Sequence, residues 1–347
     1  MRRFTSVPLA ERTTLRLGGP ATHLVEVESE AELVDEVRAA DRDRRRLLVL
    51  GGGSNVVVAD DGFDGTVVAI RTRGVDVDTD TDTDGSVTVR VAAGEPWDDL
   101  VATAVQERWV GVEALSGIPG LAGATPIQNV GAYGQEVAET IAGVRVWDRT
   151  RQDVRTLAPA ECGFGYRSSR FKADPEAFVV LSVDFRFPLG DLGAPVRYAE
   201  LARTLGVEPG DRVPAKDVRE VVLGLRRGKG MVLDPDDHDT WSAGSFFTNP
   251  VVEAEVAERL APGAPRWPQP DGRVKVSAAW LIGQAGFEKG TRRGRVGLSG
   301  KHALALTNRG GGSAAELLAL AREIRDAVRE RSGITLVNEP VTVGCRL

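Results

Sequence analysis

Cysteine is nearly absent from this 347-residue chain: Cys162 and Cys345 are the only two, and neither has a CxxC or Cys/His neighbour. A zinc site and a disulfide framework are therefore excluded, and a reducing compartment is the simplest setting. Cys162, in the run ECGFGY, and Cys345, near the C-terminus, read as small packing residues. Histidine is almost as scarce. His23, His238 and His302 share no metal-ligand spacing and no evident nucleophile partner, so each is expected in a structural or surface role and no metal is expected. No stretch approaches the roughly 18 to 20 uninterrupted apolar residues of a membrane helix. The opening MRRFTSVPLAERTTLRLGG has no apolar h-region of the kind a secretion signal needs. A soluble, cytoplasmic protein with no membrane partner is the expectation. Basic charge is not in excess either. The formal net charge of −6 argues against wholesale nucleic-acid binding, which demands an extended basic surface. Local clusters remain, Arg226, Arg227 and Lys229 and separately Arg292, Arg293, Arg295 and Lys301, and these leave an anionic small molecule open.

At 42% hydrophobic and 27% charged residues the composition is ordinary globular material, long enough for two or three domains. The segment at residues 29–44 spaces Leu33, Val34 and Val37 at helical intervals, and RRLLVL after it reads as a buried strand that Gly51, Gly52 and Gly53 break. VVVAD and GTVVAIR then read as strands, so GGGSN sits between strands. The alternation of Asp with Val or Thr from Asp76 to Asp84, continued by GSVTVRVAAG, predicts a hairpin with a solvated acidic turn. It lacks the Gly and closing Glu of a calcium loop. PWDDLVATAVQERWVG predicts an amphipathic helix. Strand patterns follow in IAGVRVWDR and AFVVLSVDFRF, then a helix in KDVREVVLGLRRGKG. SAAELLALAREIRDAVRERSG is the clearest helix, with Leu317, Leu320, Ile324 and Val328 on one face and Gly333 as its stop. ITLVNEPVTVG predicts a final strand pair. Strands and helices mix without a regular βαβ repeat, so the expected class is α+β.

Five segments carry candidate chemistry. In LGGGSN, glycine permits positive φ and close approach, so exposed backbone N–H groups can cradle a pyrophosphate. The segment enters neither a Rossmann GxGxxG nor a Walker A context, and alone a plain turn explains it. The second segment, SGIPGLAGATPIQNVGAYG, is turn-rich and long, and such segments inside a compact domain are usually functional. Two such loops suit an extended dinucleotide better than one. FGYRSSRFK gathers Tyr166, Arg167, Ser168, Arg170 and Lys172, donors suited to a carboxylate or phosphate. AGSFFTNP sets Ser245 between a small-residue turn and two phenylalanines, outside any GxSxG elbow. NEP places Glu339 in an apolar terminal stretch, where a carboxylate must be paired, protonated or working.

Taken together, in this order and at these separations, GGGSN, SGIPGLAGATPIQNVGAYG, GYRSSRFK, GSFFTNP and the terminal NEP resemble the signature set of the UDP-N-acetylenolpyruvoylglucosamine reductase family, from about Thr13 to the end. The resemblance implies an α+β fold: a vanillyl-alcohol-oxidase-type FAD-binding domain of two subdomains and a smaller α+β substrate-binding domain. The implied division is residues 1–70 with 330–347 for the first FAD-binding subdomain, 71–225 for the second, and 226–329 for the substrate domain, with the FAD-binding region over about 16–188. It implies that NADPH reduces a non-covalent FAD, which then saturates the enolpyruvyl double bond of UDP-N-acetylglucosamine enolpyruvate to give UDP-N-acetylmuramate. Gly51, Gly52, Gly53, Ser54, Asn55, Gly117, Ile118, Gly123, Ala124, Gln128, Asn129, Gly131 and Ala132 would hold FAD. Arg167 and Glu339 would polarise the substrate carboxylate, and Ser245 would supply the proton at C2. Tyr198 in PVRYAEL resembles the tyrosine that closes over the UDP in the tyrosine-loop subtype, with Arg226, Lys229 and Asn249 as further contacts. A monomer acting on small molecules is implied.

Overall fold

A computed structural model of the chain describes residues 1–78 and 85–347. The chain separates into two compact units, one of residues 1–7, 21–52 and 64–228, the other of residues 8–20, 53–63 and 229–347. The architecture is α+β in both. The implied domain boundaries divide the chain differently, because residues 330–347 fall in the same unit as 229–329. Val341–Val343 runs parallel to Val56–Val58 in the second unit.

In the first unit the Ser29 side chain accepts from the Glu32 N–H and starts the helix Glu30–Arg42, which buries Leu33, Val34 and Val37. The strands Leu47–Leu50 and Phe63–Ile70 pair in parallel within a four-stranded sheet. A five-stranded antiparallel sheet centres on Ile141–Asp148 and Phe178–Pro188. In the latter strand Val179 to Val183 are all buried, as expected of a strand covered on both faces. Farther along, Phe185 and Phe187 alternate with Asp184 and Arg186, so one face alone is covered. Val75–Val77 pairs antiparallel with Ser86–Ala92 as the hairpin expectation requires; its acidic turn lies outside the described residues.

Two sequence expectations need correction. The helix expected through VQERWVG stops at Gln106. Arg108 turns to φ 64°, and Trp109 leaves the helix to stack on Phe187 at 5.7 Å, an apolar contact that outweighs one more helical turn. The terminal strand pair is a single strand, Val341–Val343. Glu339 lies in the irregular stretch before it, where Pro340 has no N–H for a ladder.

The second unit is organised on the helix Ala314–Ser332. Ser313 and Glu316 form a reciprocal capping box, and the Asp60 carboxylate accepts from the Ala314 and Ala315 N–H groups at 2.7 and 2.9 Å. Leu317, Leu320, Ile324 and Val328 face a core that includes Phe246 and Phe247; each fully buried side chain of this size contributes roughly 2 kcal/mol.

Candidate functional site: a glycine cradle and a serine turn

The two glycine-rich loops are packed back to back in the first unit. A Cβ added to Gly52 would stand 2.7 Å from the Gly120 Cα, and one added to Gly123 would stand 2.4 Å from the Ala93 Cβ. Only glycine fits at either position. The long loop is pinned by backbone bonds, Trp97 N–H to Gly120 O, Ala122 N–H to Glu95 O and Gly123 N–H to Ala93 O. Gly117, at φ 71°, donates its N–H to Asp98 at 2.6 Å, and the same carboxylate holds Arg219 at 2.6 and 3.0 Å. Gly51 differs, since a Cβ there would meet nothing closer than the Leu121 Cδ1 at 3.7 Å. Gly52 and Gly123 are thus held to glycine by the chain packed against them, and the main-chain N–H groups of such loops are the material from which a dinucleotide cradle is built. Gly53, the first residue of its segment in the second unit, has φ 63° and would press a Cβ to 1.9 Å from the Arg12 carbonyl.

Downstream, Asn129, Tyr133 and Arg167 all take positive φ, at 45°, 48° and 52°. Such backbone costs of order 1 kcal/mol or more each and concentrates at working sites. Asn129 is 1% exposed and fully engaged: it donates to Glu136 and Gly165 O, at 2.7 and 3.2 Å, and accepts from Ala138 N–H. Its side chain shapes the loop. Gly131 and Ala132 form a two-residue strand against Gln135 and Glu136. Arg167 sits in a tight turn closed by mutual Gly165 and Ser168 backbone bonds, and it donates to the Gly131 carbonyl at 2.7 Å. Lys172 and Ser169 brace that turn through the Arg167 and Ile127 carbonyls. Ile118, Ala124 and Gln128 are half-buried along the same loop.

Arg226 lies near Arg167, Tyr133 and Asp98. Burial pushes its pKa down to about 10 and Arg167 adds to the fall, while Tyr133 and Asp98 oppose it. Arg226 stays charged at neutral pH, and an anion bound there would offset its desolvation. Tyr198 precedes the helix Ala199–Leu205, is 46% exposed, and meets the Tyr133 ring edge-on at 5.5 Å.

The second unit places Ser245 and Glu339 on adjacent backbone. Gly244 turns at φ 71°, and Phe246 and Phe247 beyond Ser245 are buried. Phe246 accepts from the Glu339 N–H at 2.8 Å, and Thr248 N–H donates to Val337 O. Asn55, of the same unit, donates from Nδ2 to the Glu339 carbonyl at 3.5 Å, and its own carbonyl accepts from Val341 N–H. Ser54 and Lys229 are half-buried in this unit. Asn249 Oδ1 accepts from Ala278 N–H, so that oxygen anchors the helix Ala278–Gln284. Sequence reasoning missed four residues of these surroundings: Asp98, Tyr133, Arg219 and His302, whose Nε2 lies 3.5 Å from the Ser245 Oγ. An acidic first turn on a helix was the one signal available for Asp98. His302 was expected only as a structural or surface residue, and no spacing marked it.

Two family models match. An FAD binding domain covers residues 21–156, and the UDP-N-acetylenolpyruvoylglucosamine reductase C-terminal domain covers residues 234–343. The UDP-N-acetylenolpyruvoylglucosamine reductase of Cutibacterium acnes is 57% identical across 98% of this chain and 90% of its own length. That of Salinispora arenicola is 58% identical, across 98% and 95%. This chain belongs to the UDP-N-acetylenolpyruvoylglucosamine reductase family. The crystal structure of the Thermus caldophilus reductase is 26% identical, covers 99% of this chain and 98% of its own, and superposes with a TM-score of 0.63. The fold and cofactor expected from the five motifs hold: the protein is an FAD-dependent oxidoreductase with a separate α+β C-terminal domain. Among the described residues no group of three or more His, Cys, Asp or Glu could hold a metal ion, and no helix is long and apolar enough to cross a membrane.

Proposed function

We propose that the protein reduces UDP-N-acetylglucosamine enolpyruvate to UDP-N-acetylmuramate with NADPH, a step in peptidoglycan precursor synthesis, and works as a cytoplasmic monomer. Near-full-length identity above one half to reductases of that name supports the substrate class. The observation that carries the mechanism is the placement of the Ser245 hydroxyl on a glycine turn whose neighbouring backbone is hydrogen-bonded to the Glu339 segment.

Bound FAD supplies hydride acceptance from the nicotinamide and hydride delivery to C3 of the enolpyruvyl group. The rest is assigned to side chains. Gly51, Gly52, Gly117 and Gly123 present backbone to the cofactor without intruding on it. Arg167, braced on the Gly131 carbonyl, takes the substrate carboxylate, toward which negative charge builds as hydride adds. Glu339 donates to the substrate as a neutral acid or orients the arginine. Ser245 gives its proton to C2. Arg226 and Tyr198 take the UDP, with Lys229 and Asn249 as further contacts.

The test separates the half-reactions in stopped-flow absorbance of the flavin. In Ser245→Ala, bleaching by NADPH should stay within a few-fold of wild type, because it needs no proton at C2. Reoxidation by the enolpyruvyl substrate should fall about 10²- to 10⁴-fold, the range for a positioned general acid. Reoxidation within about threefold of wild type, well short of that range, would remove Ser245 from the mechanism.

A further inference from the structure

His302 holds a geometry that the function above leaves unused. Its Nε2 lies 3.5 Å from the Ser245 Oγ. Its other nitrogen, Nδ1, accepts from the Leu304 backbone N–H at 3.4 Å. An amide N–H only donates, so Nδ1 carries the lone pair and the proton of the neutral ring sits on Nε2. The turn that carries the ring is closed by several bonds. Ser299 Oγ accepts from the Lys301 and His302 N–H groups at 3.0 and 3.2 Å. Ala305 N–H donates to the His302 carbonyl, and Phe246 N–H donates to the Leu304 carbonyl at 2.7 Å, so the histidine turn is tied to the residue after Ser245.

We infer that His302 is a positioning residue for Ser245, donating from Nε2–H to its oxygen so that the hydroxyl hydrogen turns toward the substrate. The inference rests on the assignment of Ser245 as proton donor. A serine oxygen that accepts one hydrogen bond directs its own hydrogen elsewhere. When the Ser245 O–H bond breaks and the C2–H bond forms, the oxygen keeps the electron pair and becomes anionic. The Nε2–H bond then becomes charge-assisted and strengthens where charge develops. Solvent returns the proton to Ser245, and His302 keeps its own throughout. The ring therefore acts through the serine without touching the substrate.

Two measurements on the FAD-loaded protein decide it. With three histidines in the chain, long-range proton–nitrogen NMR correlations, assigned by the signal lost in His302→Gln, report which ring nitrogen of His302 is protonated. The Nε2–H tautomer is expected, and the Nδ1–H tautomer would overturn the inference. In stopped-flow, His302→Phe keeps ring volume without a donor and should slow substrate reoxidation about 10²-fold, as for loss of one oxyanion donor. Bleaching by NADPH should be unchanged. His302→Gln, whose amide can donate, should recover most of that loss. Normal reoxidation in His302→Phe alongside slow Ser245→Ala would sink the inference and leave the proposed function standing. Normal reoxidation in Ser245→Ala would remove Ser245 as the proton donor and sink the inference with it, while the substrate assignment would stand.

Discussion

The glycine loops of the first unit and the serine turn of the second are built from different parts of the chain. At Gly52 and Gly123 the requirement is that nothing project, since an added Cβ would strike Gly120 or Ala93. At Ser245 the requirement is that one hydroxyl project in a set direction, with Phe246, Phe247, His302 and the Glu339 segment arranged about it. A backbone-built surface suits a large cofactor that needs many weak contacts. A side-chain-built one suits a single proton that must leave from one point. Substitutions that add an atom should therefore injure the first, and substitutions that delete one should injure the second.

Among the glycines of the GGGSN segment the largest expected effect of an added atom is at Gly53, the first of its residues in the second unit. Gly53→Ala combines φ 63° with a Cβ 1.9 Å from the Arg12 carbonyl, so backbone must move. We expect a loss above about 3 kcal/mol, read as a Tm fall of roughly 6 °C or more. Gly51→Ala sharpens the comparison, because its Cβ would have ordinary contacts at 3.7 Å and more. Tm without cofactor should be unchanged while retained flavin per chain drops. Normal flavin retention would remove Gly51 from the cradle.

Glu113 reverses the rule within the first unit. It is fully buried, and its carboxylate accepts from Gly111 N–H at 2.7 Å, Gln135 Nε2 at 2.9 Å and Ala194 N–H. Glu113→Ala strands three donors at once, and a loss of about 3 kcal/mol in chemical denaturation is expected. A loss below about 1 kcal/mol, the worth of one ordinary bond, would mean that water replaces the carboxylate freely.

These cases also mark what the sequence could disclose. The glycine loops were legible because their conformations admit few other residues, and the helices at 30–42 and 314–332 because apolar spacing sets their buried faces. Ser245 and Glu339 were legible only as members of an ordered set of motifs. Glu113 and His302 were not legible, because their partners lie 22 and 81 residues away in one case and 57 in the other. No local pattern encodes a hydrogen bond of that span. Trp109 was misread for the same reason: helical spacing near it was real, and a distant Phe187 outweighed it.

A smaller effect is expected at Tyr198, half exposed and held edge-on by Tyr133. Tyr198→Phe keeps the ring contact and deletes the hydroxyl. Loss of one ordinary hydrogen bond to the nucleotide should weaken substrate binding by about 1 kcal/mol, near fivefold in Kd by calorimetry. NADPH oxidation at saturating substrate should hold. An equal fall in both would place the hydroxyl in the chemistry.

The smallest effect is at Asp98, the side chain that links the backbone-built loop to an ion pair. Burial pushes its carboxyl upward, but the Arg219 hydrogen bonds and the Gly117 N–H together outweigh it and hold the pKa below the usual 3.8. A carboxyl with a depressed folded pKa stabilises the protein above its unfolded pKa, and that stability fades as pH falls through the folded value. Asp98→Asn keeps an oxygen for the Gly117 N–H and removes the charge, so a loss of only about 0.5 to 1 kcal/mol is expected at neutral pH, as for partly exposed pairs. The difference in denaturation free energy between wild type and Asp98→Asn should be flat from pH 7 to about 5, then shrink only as pH drops through 3.8 and below. A difference that grows as pH falls from 7 to 5 would mean that burial dominates and the carboxyl is raised. Asp98 would then be a strained acid beside Gly117 and not the anchor of the loop.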